Sequence, residues 1–357
     1  DMLGGGSHVA HAPLVVNAAG PWVDKVLAGS NSSGESSGEK LIGGTKGSHV
    51  VVAAFDGAPK VALYTEARAD GRPFFIIPWD GKILIGTTDT RYDEDLDRVE
   101  ACEAESAYLL DETNRVVPSA RLTRASVLYT YSGVRPLPFV REGAEARITR
   151  RHFVLKDTQN LRGLISIVGG KLTTYRNLSE ETVDVIVERL DRPRAPCLTA
   201  RTTLPGAATA DYERFVKAFK EESALPSHTN ERLLKIYGVR AAEVARLAVE
   251  DVGLRREISA ETGSIGAEVL FSFQSEMAET LADCLLRRTL VGLNSKCGLD
   301  AIEAAARIAR EYLGWDEDRA ARETTAYREY VARFDPSTTE KVEPGSDGKT
   351  LSRKPAR

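Results

Sequence analysis

Residues 164–175 read Leu-Ile-Ser-Ile-Val-Gly-Gly-Lys-Leu-Thr-Thr-Tyr, and the rest of the chain is organised around this stretch. Its first five residues are apolar apart from Ser166, which predicts a buried strand that Gly169 and Gly170 end. Apolar residues then recur at helical spacing up to residue 190, so an amphipathic helix is expected next. A strand, a glycine turn and a helix place free backbone N–H groups and the positive end of the helix dipole at one point, where Lys171 adds a charge. This point suits an anion, although a turn that only allows close packing is the plainer interpretation.

The composition is that of an ordinary globular protein. The chain has 357 residues, of which 42% are hydrophobic and 28% charged, and its net charge is -4. This balance, without basic runs between aromatics, predicts no nucleic-acid partner, and the apolar runs are far too short for a membrane span. The four cysteines lie far apart, and neither they nor the five histidines show metal-ligand spacing, so no metal is expected. We expect free thiols in a reducing compartment, which predicts a cytoplasmic protein.

The predicted fold class is α+β, with a mostly antiparallel sheet, flanking helices and an all-helical C-terminal domain. Between residues 41 and 168, β-branched and aromatic runs alternate with turn residues, and Asp80-Gly81 suits a tight hairpin. One helix is expected there, over 94–116. We predict a first domain over 12–203 with its sheet at 41–168, a helical domain over 204–334 and a disordered tail over 335–357. Further expectations are a short buried strand over 14–18, a mobile loop over 30–40, strands over 60–65 and 148–155, and C-terminal helices over 212–222, 230–237, 241–249, 276–288, 299–312 and 317–334.

Seven short segments across residues 12–180 carry a family pattern, in the order in which that family has them. They are Val16-Asn17-Ala18-Ala19-Gly20-Pro21-Trp22-Val23, Lys46-Gly47-Ser48-His49-Val50, Ile77-Pro78-Trp79, Ile85-Gly86-Thr87-Thr88-Asp89, Tyr131-Ser132-Gly133-Val134-Arg135-Pro136-Leu137, Ile148-Thr149-Arg150, and Gly169-Gly170-Lys171-Leu172-Thr173-Thr174-Tyr175-Arg176. Together they resemble the FAD-dependent glycerol-3-phosphate dehydrogenases, within the amino-acid-oxidase-like flavoproteins. The C-terminal half resembles that family more loosely, through Leu204-Pro205-Gly206 and Arg287-Arg288-Thr289.

The resemblance implies catalytic and substrate-binding residues. His49 resembles the active-site histidine, and an imidazole suits removal of a hydroxyl proton near neutral pH. A structural histidine bonded to the backbone is the alternative. Arg135 and Arg150 match positions that hold the substrate phosphate, because two guanidinium forks grip a phosphate through charge-assisted bonds. The alternative is that both arginines pair with carboxylates on a charged surface. Lys171 matches a catalytic lysine close to the substrate and the flavin.

The resemblance also implies cofactor-binding residues. The turn at Gly170, Leu172 and Thr173 would offer backbone N–H groups to the N1–C2=O edge of the flavin, where reduction places negative charge. Thr87 and Thr88 resemble a flavin-side segment, with a polar turn as an even alternative. The pair at 19–20, Ala19 and Gly20, resembles a strand end that lies along the dinucleotide.

One departure from the family concerns the cofactor. Its members begin with a strand, a Gly-x-Gly-x-x-Gly turn and a helix that bind the FAD pyrophosphate, and this chain has no such unit. The chain therefore resembles the family without its N-terminal FAD-binding portion, and residues 12–203 are expected to form a partial oxidoreductase domain. If the chain acts alone, we expect weak or absent FAD binding and little activity.

The resemblance implies a function in glycerol metabolism. The expected reaction is oxidation of sn-glycerol 3-phosphate to dihydroxyacetone phosphate with FAD as cofactor and a quinone as electron acceptor. Peripheral contact with the inner membrane and a homodimer are left open. Two alternatives also stay open: a flavoenzyme of the same superfamily that oxidises an amine or a 2-hydroxy acid, and a non-catalytic fragment that acts in binding or assembly.

Overall fold

The computed structural model describes residues 6–30, 39–141 and 148–336. The predicted loop over 30–40 and the predicted tail over 335–357 fall almost wholly outside the described residues. The chain divides into two compact units. The first unit comprises Asp1–Gly47, Asp89–Val99 and Gly133–Ala332, and the second comprises Ser48–Thr88, Glu100–Ser132 and Arg333–Arg357.

Strands dominate the first half of the described chain and helices the second half, as the predicted α+β class requires. The strands are β1 (Val15–Asn17), β2 (Thr45–Ala53), β3 (Leu63–Glu66), β4 (Pro73–Trp79), β5 (Lys82–Gly86), β6 (Thr90–Arg91), β7 (Val127–Arg135), β8 (His152–Lys156), β9 (Leu164–Gly169), β10 (Glu257–Ser259) and β11 (Ser264–Ile265). The helices are α1 (Val23–Ser30), α2 (Glu103–Val116), α3 (Tyr175–Arg189), α4 (Tyr212–Glu222), α5 (Ser227–Tyr237), α6 (Ala241–Glu250), α7 (Gly266–Ser275), α8 (Ile302–Leu313) and α9 (Glu317–Ala332).

In the first unit, a three-stranded sheet in the order β1-β9-β8 positions the glycine turn. Strand β9 is central and buried, as its apolar sequence predicts. It runs parallel to β1, with Val16 opposite Ile165, and antiparallel to β8, with His152 opposite Gly169. The carboxyl ends of β1 and β9 and the start of β8 therefore lie at the same edge of this sheet.

Strand β1 and helix α3 differ from the sequence expectation in their burial. The strand expected to be buried over 14–18 exposes Val15 and Val16, because among the described residues it is an edge strand paired with β9 alone. In α3 the predicted helix is present, but its expected apolar side is only partly covered by the described residues: Leu172 before it, Tyr175 and Val183 are exposed.

In the second unit, antiparallel strands in the order β3-β4-β5-β2 pack against α2. Alternate residues of these strands face one core, including Val50, Ile76 and Ile85, and Leu109 of α2 covers it. The predicted hairpin between β4 and β5 is confirmed, since Asp80 and Gly81 both have positive φ, of 47° and 76°, as a type I′ turn requires.

Several predicted boundaries are wrong, each for a local reason. The helix expected over 94–116 begins only at Glu103, because the Glu105 carboxylate accepts the Cys102 N–H at 3.0 Å and caps the helix there. The strands expected over 60–65 and 148–155 begin three and four residues late, at Leu63 and His152. In place of the helix expected over 276–288 there is a π-helix, Asp283–Arg288, preceded by Met277 with φ of 58°.

The C-terminal part of the first unit is helical, as predicted, with two additions. A two-stranded ladder of β10 and β11 interrupts it. Helix α7 was not predicted from the sequence. Seven of its ten residues, from Gly266 to Ser272, are buried, so it has no polar face and no helical period in its hydropathy.

A buried ion pair joins α5 to α7. The Nε of Arg232 donates to both oxygens of Glu268, at 3.1 and 3.2 Å. The Glu268 carboxylate also accepts the Tyr237 hydroxyl at 3.2 Å and the Ile265 N–H at 3.0 Å, and Arg232 donates further to the Thr289 carbonyl at 2.6 Å. The side chains of Arg232 and Glu268 are 10% and 0% exposed, so this network replaces most of the hydration of Arg232 and all of that of Glu268.

No helix in the described part of the chain is both long enough and apolar enough to cross a bilayer.

Candidate functional site

The turn after β1 is held by the side chain of Asn17. This side chain is buried; its Nδ2 donates to the Val23 carbonyl at 3.1 Å and its Oδ1 accepts the Ala19 N–H at 3.3 Å. Gly20 has φ of 58°, and a Cβ there would meet no atom within 4 Å. The predicted pair Ala19-Gly20 therefore forms an open turn that leads into α1.

The turn after β9 needs both of its glycines. Gly169 has φ of 79°, and a Cβ there would overlap the carbonyl oxygen of Arg151. Gly170 has φ of 102°, and its Cβ would lie 3.3 Å from the Cβ of His152. Other residues at these positions would be strained by both their φ and their neighbours. The diglycine is thus a closely packed bend. The alternative of a turn that only allows close packing also predicts this arrangement.

The bend presents donors and a charge to its surroundings. Leu172 is 90% exposed, and Lys171 and Thr173 are also exposed. Among the described residues no acceptor lies opposite the backbone N–H groups of Leu172 and Thr173, which open the short helical turn before α3. These donors, with the Lys171 ammonium, suit an electron-rich group. As two hydrogen-bond donors and one positive charge, they are chemically suited to the electron-rich edge of a flavin.

The two turns occupy one edge of the sheet. Because β1 and β9 are parallel neighbours, the Ala19-Gly20 turn and the Gly170–Thr173 turn both follow strand carboxyl ends at this edge. Ligands of sheets with parallel strands bind outside such carboxyl ends. The structure thus brings together five cofactor-binding residues predicted from the sequence, namely Ala19, Gly20, Gly170, Leu172 and Thr173, together with Lys171.

Arg150 precedes β8 and lies at the same edge. Strand β8 starts opposite the end of β9, and the Arg151 carbonyl packs on Gly169. Arg150 is exposed, two residues before the strand starts. The predicted strand over 148–155 would have put Arg150 within the sheet; it lies in the segment leading into it.

Arg135 is half-buried and paired. Its Nη1 lies 3.0 Å from Oδ1 of Asp89, and the two side chains are 25% and 15% exposed. Burial lowers the pKa of the Arg135 guanidinium; the Asp89 carboxylate opposes this effect, and the charge of Arg150 adds to it. The charge of one predicted phosphate-binding arginine, Arg150, therefore acts on the other, Arg135. Arg135 also forms the carboxylate pair that the alternative interpretation expected, although not on the open surface.

His49 lies in the second unit, on β2. Its imidazole stacks on the ring of Tyr131, with centroids 4.9 Å apart and an interplanar angle of 11°. On β5, Gly86 is opposite His49, and a Cβ at Gly86 would overlap Cδ2 of the imidazole and lie 2.7 Å from its Cγ. The ring is thus held between a tyrosine and a bare backbone. Burial raises the pKa of the Tyr131 hydroxyl, which keeps it protonated near neutral pH.

Thr87 and Thr88 follow β5 in the same unit. The Thr88 hydroxyl donates to Oε1 of Glu105 at 2.7 Å and accepts the Ser48 N–H at 2.9 Å. The Thr87 hydroxyl donates to the Thr88 carbonyl at 3.0 Å. These bonds favour the polar-turn interpretation of the two threonines, and their cofactor role stays a prediction.

Replacing Gly86 by alanine is expected to displace the His49 ring. The added methyl group would occupy the space of the imidazole, so the His49 side chain must turn away from Tyr131, at a cost of about 1–3 kcal/mol in unfolding free energy. The His49 ring resonances in an NMR spectrum should then lose the ring-current shift from Tyr131. In a control, Gly133→Ala adds a methyl group with no atom within 4 Å and should leave these resonances in place. Unchanged His49 resonances in Gly86→Ala would contradict the placement of the His49 ring between Tyr131 and Gly86.

Three residues of the quoted family segments make contacts that were not predicted from the sequence. Asn17 holds the first turn, Asp89 pairs with Arg135, and Tyr131 stacks on His49. Asn17 has a local signal, because asparagine before a glycine and a helix start is typical of side-chain-capped turns. The other two have none, since their partners lie more than forty residues away in the chain.

No group of three or more His, Cys, Asp or Glu side chains arranged to hold a metal occurs within residues 6–30, 39–141 and 148–336. The four cysteines are free; Cys284 and Cys297 are buried, and Cys102 and Cys197 are exposed.

Comparisons with known protein families match two parts of the chain. Residues 3–176 match a model described as FAD dependent oxidoreductase. Residues 197–320 match a model described as the C-terminal domain of alpha-glycerophosphate oxidase. The two matches follow each other along the chain without overlap.

Named relatives agree with these models. A glycerol-3-phosphate dehydrogenase of Synechocystis sp. is 43% identical over 323 residues, which are 89% of this chain and 58% of that protein. An aerobic glycerol-3-phosphate dehydrogenase of Staphylococcus haemolyticus is 32% identical over 81% of this chain and 52% of its own length. The chain therefore spans little more than half the length of these relatives.

A solved structure has the same fold. The glycerol-3-phosphate dehydrogenase from Bacillus halodurans, determined in complex with FAD, superposes with a TM-score of 0.75 at 31% identity. The match covers 94% of this chain and 65% of that one. On the motifs, the two family models, the relatives and this superposition together, the chain belongs to the FAD-dependent glycerol-3-phosphate dehydrogenases of the amino-acid-oxidase-like flavoproteins.

Proposed function

We propose that this chain takes part in the FAD-dependent oxidation of sn-glycerol 3-phosphate to dihydroxyacetone phosphate. One observation carries the proposal. Two strand-to-helix turns and two arginines, Arg135 and Arg150, belong to the same unit, and the turns and Arg150 lie at the same sheet edge. A flavin edge and a phosphate are the two groups that such donors and cations suit.

In this proposal each part of the unit has one task. When bound, FAD supplies the group that accepts the hydride. The N–H groups of Leu172 and Thr173 and the ammonium of Lys171 stabilise negative charge at the flavin edge. Arg135 and Arg150 bind the phosphate of the substrate through charge-assisted hydrogen bonds and so orient it.

His49 is the proposed general base. Its Nδ1 is buried, which leaves Nε2 as the nitrogen that can take the hydroxyl proton. The stacking on Tyr131 and the close contact with Gly86 restrict rotation of the ring. An imidazole held in one orientation favours proton transfer, because the acceptor nitrogen needs no reorientation before it takes the proton.

The electron acceptor and the location belong to the same proposal. We propose a quinone as acceptor, supported by the family resemblance. A cytoplasmic location is supported by four cysteines that form no disulfide. A homodimer and a peripheral membrane contact remain open expectations of the resemblance.

A second candidate is the oxidation of an amine or a 2-hydroxy acid. The pairing of Arg135 with Asp89 favours it, because that pair leaves Arg150 as the less engaged guanidinium, and a carboxylate substrate needs only one. Loss of Arg135 separates the two candidates. Phosphate binding should weaken when Arg135 is removed, whereas carboxylate binding through Arg150 should survive that loss.

Flavin absorbance tests the proposal directly. The purified chain is mixed with FAD, passed through gel filtration and inspected for flavin bands; the retained flavin is then exposed to candidate substrates without oxygen. Bleaching by glycerol 3-phosphate supports the proposed reaction, and bleaching by an amine or a 2-hydroxy acid supports the second candidate. A colourless protein contradicts FAD binding by this chain and supports a non-catalytic role in binding or assembly.

A further inference from the structure

A cavity lies in the helical part of the first unit. It has a volume of about 370 Å³ and is formed by the segment that follows α6 together with one side of α8. None of the residues assigned a role in the proposed function lines it. Its size falls at the lower end of the range for small-molecule sites.

The floor of this cavity is apolar and fixed. Ile258 of β10 and Ile308 of α8 line it, and they are 6% and 5% exposed. Ile308 packs directly on the backbone of α7, because a Cβ at Gly266 would lie 2.9 Å from its Cδ1. The floor can therefore receive the apolar body of a ligand without rearranging.

Two arginines line the same cavity, and within the described residues no carboxylate forms an ion pair with them. Arg256 and Arg307 are exposed, and within the described residues their guanidinium groups form no hydrogen bond or ion pair. Glu311 lies one turn after Arg307 on α8 and also lines the cavity, yet it forms no ion pair with it. One turn before Arg307, Glu303 is engaged by Arg328 at 2.7 Å.

Two further nearby carboxylates are also engaged, and one of them, Glu257 beside Arg256, pairs with His228 at 2.8 Å. Asp251 accepts the Tyr312 hydroxyl at 2.6 Å and the Gly253 N–H at 2.7 Å. These bonds hold the pKa of Asp251 below its usual range, so it is ionised, and its oxygens are engaged by Tyr312 and Gly253 and form no ion pair with either arginine. With Glu311, the cavity lining carries a net charge of one positive unit and two unused guanidinium forks.

We propose that this cavity binds a phosphate monoester with a small apolar or planar body. Two guanidinium forks match the several oxygens and the double negative charge of such a phosphate better than they match a single carboxylate. The apolar floor of Ile258 and Ile308 would cover the organic part. The site is separate from Arg135 and Arg150, so it is a place for a phosphorylated effector and goes beyond the proposed function.

Methyl NMR on the full chain tests the site at its floor. The protein is labelled at isoleucine δ1 methyl groups, and the signals of Ile258 and Ile308 are assigned with Ile258→Val and Ile308→Val. Phenyl phosphate, inorganic phosphate and phenol are titrated separately at a constant ionic strength of about 0.15 M, where long-range charge effects are screened. Phenyl phosphate should shift both signals in a saturable manner, with an affinity about tenfold higher than that of inorganic phosphate.

Arginine variants decide whether the anion is recognised. Arg256→Ala and Arg307→Ala should each weaken phenyl phosphate binding about tenfold or more, with the lysine variants in between. Arg310→Ala removes an exposed arginine of α8 that does not line the cavity, and it should leave binding unchanged. Unperturbed signals of the other isoleucines show that each variant is folded.

Three results would overturn the proposal: no shift at Ile258 and Ile308, equal shifts with phenol, or undiminished binding in the Arg256→Ala, Arg307→Ala double variant. Undiminished binding in Arg135→Ala distinguishes this cavity from the proposed phosphate site, so the two proposals fail independently.

Discussion

Replacing Glu268 by alanine is expected to lower the free energy of unfolding by about 3–5 kcal/mol, because it leaves the Arg232 guanidinium buried without its counter-charge. The Arg232 side chain is only 10% exposed, so water can replace little of the lost carboxylate. The Tyr237 hydroxyl and the Ile265 N–H lose their acceptor in the same step. Urea denaturation followed by circular dichroism measures the effect as a lower midpoint at an unchanged slope.

Two controls separate this effect from general loss of a carboxylate. Glu243 pairs with Arg240 at 3.2 Å but is 51% exposed, so Glu243→Ala should cost no more than about 1 kcal/mol. The double variant Arg232→Met, Glu268→Leu removes both charges and should recover much of the stability lost in Glu268→Ala. If the double variant were less stable than the single one, the buried charge would not be the cause.

Replacing Arg135 by alanine is expected to raise the KM for glycerol 3-phosphate by about 10- to 100-fold in the flavin-loaded protein, with a smaller change in kcat. A phosphate contact made by Arg135 exists in both the ground state and the transition state, so its loss mainly weakens binding. Arg135→Lys keeps the positive charge but lacks the guanidinium fork, so its KM should lie between those of the unchanged protein and Arg135→Ala. Steady-state kinetics over a range of substrate concentrations measures the changes in KM and kcat separately.

A matched control is available in the same unit. Arg189 is 24% exposed, against 25% for Arg135, and it too pairs with a carboxylate, that of Asp157, at 2.8 Å. Arg189→Ala should therefore disturb the fold about as much as Arg135→Ala does, while leaving KM unchanged. An equal rise of KM in both variants, or no rise in Arg135→Ala, would remove Arg135 from the phosphate site.

Elements with one solvent-exposed face, and tight turns, could be predicted from the sequence. Helix α4 has the expected bounds, Tyr212–Glu222, because its apolar residues recur at helical spacing and Asp211 caps it by accepting the Arg214 N–H at 2.9 Å. The hairpin at Asp80-Gly81 was predicted because only a few residue types adopt positive φ twice in succession. Helix α7 lacked any such signal, since its residues from Gly266 to Ser272 are buried whichever side of the helix they are on.

The sequence by itself determined the strand, the diglycine bend and the helix at 164–189. The hydrophobic periodicity and the glycine turn that predict them depend only on residues close together in the chain. Only the tertiary structure decided which distant groups meet. The parallel register of β1 and β9 brings the Ala19-Gly20 turn to the diglycine bend, and folding places Asp89 against Arg135. Such contacts depend on strand register and packing across long stretches of chain, which no local pattern specifies.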